Sequence, residues 1–74
     1  MKIDFKKLIE NSGEQISMLR LAKDMTSQGL FRSVQSAYNC IWYHNTGRAK
    51  TIDLALLEYL SERFKLTTDK IIKP

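Results

Sequence analysis

Cys40 and His44 are the only cysteine and the only histidine in the chain, four residues apart. On a helix that spacing sets two metal ligands on one face, but no other Cys or His exists to complete a tetrahedral site. The expectation is a small packed thiol and a surface imidazole, with no metal. Catalytic equipment is missing as well. There is no Ser/His/Asp arrangement at a recognisable spacing, no glycine-rich phosphate loop and no carboxylate pair in an apolar setting. Neither an enzyme nor a cofactor is expected.

The chemistry these residues do offer is recognition of a polyanion. The formal net charge is +4, and the basic excess is concentrated in one place. Residues 25–52 contain Arg32, Arg48 and Lys50 and no Asp or Glu, which leaves only +1 for the rest of the chain. The same stretch is rich in Ser, Gln, Asn and Tyr. Such a segment approaches phosphates without carboxylate repulsion and still presents donors and acceptors to base edges.

A scaffold must hold these groups, and its size is bounded. A chain of 74 residues is read as one domain, 1–74, with one core and one exposed working face, because so short a chain buries only about 60% of its unfolded surface. A hydrophobic fraction of 43% beside 27% charged residues decides against both disorder and a membrane span. The first residues alternate charged with apolar and form no signal-peptide run. A single cysteine fits a reducing interior, so the cytoplasm is the expected compartment.

Periodicity predicts an all-α fold of five helices. Asp4 caps a first helix over 5–11 striped by Phe5, Leu8 and Ile9, with Gly13 in the stop signal. Ser17, or alternatively a start at Glu14, opens a second helix carrying Met18, Leu21, Ala22 and Met25 and ending near Met25. A turn with Gly29 follows, then Leu30 and Phe31, which are apolar enough to plug the core. Ser33 caps a third helix from Val34 to about Asn45, lined on one side by Val34, Ala37, Tyr38 and Ile41 and stopped at Gly47. Tyr38 and Trp42 are read as core or rim packing. Thr51 or Asp53 opens a fourth helix on Leu56, Leu57, Leu60 and Phe64, with Arg63 and Lys65 near its negative end. Thr67 and Asp69 suit a last turn bearing Ile71 and Ile72. No alternating run with hairpin signals occurs, so no sheet is expected.

Three blocks of residues carry a family resemblance. They are Ser17-Met18-Leu19-Arg20-Leu21-Ala22, then Asn45-Thr46-Gly47-Arg48, and the run from Leu57 through Ile72. On these the chain resembles the lambda-repressor-like, or Cro/CI-type, helix-turn-helix domains over most of residues 16–72. It departs from their pattern in an expanded connection between helices 2 and 3, over roughly 26–33. Met18 stands where the family commonly has Gln.

The resemblance implies a sequence-specific regulator of transcription that binds double-stranded DNA with its third helix in the major groove. In that arrangement Gln35 and Asn39 read bases, because a carboxamide donates and accepts at once, and Ser33 and Ser36 add bonds of either kind. Arg32, Arg48 and Lys50 straddle the helix as phosphate clamps, joined at the DNA backbone by Tyr43 and Asn45 and, more remotely, by His44. One module makes few base contacts, so a homodimer is expected, with helix 5, Ile71 and Ile72 as dimer material. Helix-turn-helix folds also serve as protein-binding modules, such as an antitoxin or a small phage-encoded inhibitor, and that is the alternative expectation.

Overall fold

Side-chain caps set where the helices begin. In the computed structural model, which describes residues 2–73, Asp4 accepts from the Lys7 N–H at 3.1 Å and starts α1, Phe5–Ser12. Ser17 accepts from Arg20 N–H at 3.1 Å and starts α2, Met18–Ser27. Ser33 accepts from Ser36 N–H at 3.2 Å ahead of α3, Val34–Asn45. Asp53 accepts from both Ala55 and Leu56 ahead of α4, Leu54–Phe64, which settles the choice between Thr51 and Asp53. A short α5, Thr68–Ile71, follows Thr67. Each cap satisfies amides that the first helical turn leaves without partners.

The ends of the helices are also closed locally. α2 runs two residues past its expected end, then stops where Gly29 takes φ 81° and Leu30 N–H bonds to the Met25 carbonyl. That left-handed conformation suits glycine, which has no Cβ to clash. The connection between α2 and α3 is therefore residues 28–33. Leu30 and Phe31 fold back against the core as half-buried side chains, beside the start of α4. α4 ends without a glycine: Lys65 holds φ 53°, and Ser61 donates its hydroxyl to the Leu66 carbonyl at 2.6 Å.

The expectation of no sheet is corrected in one place. Lys2–Ile3 (β1) and Ile72–Lys73 (β2) pair antiparallel, with Lys2 opposite Lys73 and Ile3 opposite Ile72. Two-residue strands from opposite ends of the sequence carry no hairpin signal, so a local reading passes over them. The fold is otherwise helical.

One core gathers Ile3, Phe5, Leu8, Leu21, Ala22, Met25, Ala37, Ile41, Leu56, Leu57, Leu60 and Ile71. Ile71, expected at a dimer surface, is thus a core residue, only 3% exposed. α3 packs mainly on α2 and also meets α1 and β1. Arg63 does more than face its own helix end. Its guanidinium donates to the Tyr59 hydroxyl at 3.1 Å and reaches Asp24 at 3.0 Å and Glu14 at 3.4 Å, tying α4 to α2 and to the segment before it. Among the described residues no helix is long and apolar enough to cross a membrane.

Candidate functional site

α3 contains no Asp, Glu, Lys or Arg. Its inward face is Ala37, Ile41 and His44, at the i, i+4, i+7 spacing of a helical stripe. The opposite face exposes Gln35, Ser36, Asn39, Trp42 and Tyr43, with Trp42 at 43% and Tyr43 at 53%. Trp42 leans edge-on against half-buried Tyr38, ring centroids 6.1 Å apart, so this pair forms a rim above the core. Next to it, one turn apart, Gln35 Nε2 donates to Asn39 Oδ1 at 3.0 Å.

The end of α3 determines what lies beside this face. Gly47 adopts φ 76°, and the N–H groups of Arg48 and Ala49 both donate to the Tyr43 carbonyl, at 2.8 and 3.1 Å. That reversal sends the following segment back along α3. The result is a shallow cleft of about 440 Å³ in which Ser36, Asn39 and Tyr43 share a border with Arg48 and Lys50, over Cys40 and His44. Two cations therefore flank an uncharged polar helix face.

Six of the ten residues expected at the site are thus brought together: Ser36, Asn39, Tyr43, Arg48 and Lys50, with His44 beneath them. Gln35 joins them through its bond to Asn39. Ser33 and Arg32 lie exposed where α3 begins, and the Ser33 hydroxyl is engaged there, capping the helix and donating to the Ser36 hydroxyl at 3.1 Å. Asn45 is not at the cleft. It is half-buried, and its amide points to the Met18 sulfur of α2 at 3.2 Å.

His44 corrects the expectation of a surface imidazole. It is 2% exposed, its Nδ1 accepts the Ile3 N–H at 3.1 Å, and it meets Phe5 edge-on with centroids 5.7 Å apart. Burial lowers its pKa, so the ring is neutral with its proton on Nε2. It fastens β1 to α3 and is not available to reach a DNA backbone. The signal in the sequence is its place on the Ala37, Ile41 stripe. Cys40 is half-buried, and its thiol is pushed up by burial and then by the Asp53 carboxylate, so it stays protonated at neutral pH. Among the described residues, no three or more His, Cys, Asp or Glu converge to hold a metal.

The fold and this face define a small, mostly helical domain with a neutral, amide- and aromatic-bearing helix set between cations. No family model matches the chain, and no curated protein or solved structure matches it.

Proposed function

We propose that this chain binds double-stranded DNA as a lambda-repressor-like helix-turn-helix module and regulates transcription, with α2 as the buttress and α3 in the major groove. The observation that carries this reading is the cleft in which Asn39, Ser36 and Tyr43 border Arg48 and Lys50. A helix about 10–12 Å across enters a groove about 12 Å wide, where flanking phosphates repel any carboxylate on it. α3 has none, and its amides and hydroxyls match base edges while the adjacent cations match the DNA backbone. Two copies on a two-fold site double a small set of base contacts.

Anisotropy titration of the full chain against labelled duplex and against single strand of equal length tests this. Duplex should bind preferentially and lose affinity steeply with salt. No duplex binding at low salt overturns the proposal. The rival, a protein-binding module, draws support from Leu54 at 68% and Leu19 at 46% exposure. A partner held on such apolar contacts would survive nuclease and moderate salt.

A further inference from the structure

Asn39 stands on the exposed face of α3 with one side-chain partner among the described residues, Gln35. Gln35 does not border the cleft; Asn39 does. The direction of their bond matters. Because Gln35 Nε2 donates, Asn39 Oδ1 is held toward the start of α3, and both Nδ2 hydrogens are directed away from Gln35.

We infer, building on the DNA-binding reading, that Asn39 reads an adenine and that Gln35 is a positioning residue that fixes which way the Asn39 carboxamide faces. An amide oxygen has two lone pairs, and the bond from Gln35 uses one. The other is open to an adenine N6–H while Nδ2 donates to N7, the side-by-side donor and acceptor that adenine alone presents in the major groove. Guanine sets two acceptors, O6 and N7, against this pair, so the fixed oxygen meets another oxygen. Freed from Gln35, the carboxamide can turn over and offer its N–H to O6 of guanine or O4 of thymine. The bond thus selects against other bases without Gln35 touching one. Polarisation along the amide chain strengthens the same orientation.

Selection of bound sequences from a randomised duplex pool by the full chain, followed by base counting at each position, tests this. Asn39→Ala should lower the adenine preference at one position per half-site by about tenfold. Gln35→Ala should lower it at that same position by about twofold, with no new position affected. A lysine restores a donor at 35, so Gln35→Lys should recover the adenine preference. Glutamate only accepts, so Gln35→Glu should attract Nδ2, turn the oxygen outward and depress adenine below the level of the alanine variant. A change confined to a different position would make Gln35 an independent base reader and overturn the inference. So would an unchanged adenine preference in Gln35→Ala, or no lost preference in Asn39→Ala. A wild-type chain that binds no duplex overturns the DNA reading and this inference with it. Binding without sequence preference overturns the inference alone.

Discussion

Replacing His44 by leucine should destabilise the fold by about 1–3 kcal/mol at alkaline pH, because the Ile3 N–H then loses its acceptor in a site only 2% exposed. A chain of this length has roughly 4–11 kcal/mol of stability, so the variant still folds, with its midpoint lowered by about 4–8 °C for each kcal/mol lost. The diagnostic is pH. Burial depresses the pKa of the folded histidine below the ordinary 6.5, so between the two values the unfolded chain holds the extra proton. The stabilisation from a neutral His44 is complete above about pH 6.5 and declines as pH falls toward the folded value, by at most about 1.4 kcal/mol per unit. The leucine variant lacks this component. Urea denaturation of both proteins from about pH 8 to about pH 5 therefore gives a stability gap that narrows with acid, while titrating carboxylates common to both cancel. A gap that stays constant over that range refutes the assignment of His44 as a buried neutral acceptor.

If Arg32, Arg48 and Lys50 each neutralise a phosphate in both subunits of a dimer, log affinity should fall against log salt with a slope near −5, about −0.9 for each phosphate. Arg48→Ala should reduce it by about 2 and weaken random and selected duplex alike, as salt-dependent anisotropy would register; an unchanged slope removes Arg48 from the interface. Leu60→Ala, at a fully buried position of α4, should cost about 2–5 kcal/mol by urea denaturation. Retained stability there would mean that α4 packs differently. Lys65→Gly should raise thermal stability by up to about 1 kcal/mol, since a residue with a Cβ now holds φ 53°. A fall in the midpoint would show that the lysine side chain stabilises more than its backbone strain costs.

Much of the scaffold was legible because its determinants are local. Asp4, Ser17, Ser33 and Asp53 are short oxygen-bearing side chains just before apolar stripes, and each caps the helix that follows it. The stripe of α4 was legible for the same reason, since Leu56, Leu57 and Leu60 need only a helical period to converge. What escaped depends on distance along the chain. Ile3 meets Ile72 and His44 only once the helices have packed, and no spacing rule links residues so far apart. Asn45 is expected at the DNA backbone, whereas its position on α3 turns it to Met18. At the candidate site, residue type pointed to Asn39 and Arg48 separately. Their shared cleft follows from the reversal at Gly47, where two amides converge on one carbonyl.

The β1–β2 ladder makes one anchorage of two distant places. Residues 2 and 73 lie across a strand spacing of about 5 Å, and Ile3, beside residue 2, is hydrogen-bonded to α3 through His44. A pull applied to the chain at either strand therefore loads a single small ladder in shear or peeling, and the first tertiary bond behind it belongs to the helix that bears Gln35 and Asn39. Joining residues 2 and 73 covalently would remove from the unfolded chain a loop-closure entropy worth about 4 kcal/mol at this length, stabilising the fold without altering any exposed residue of α3.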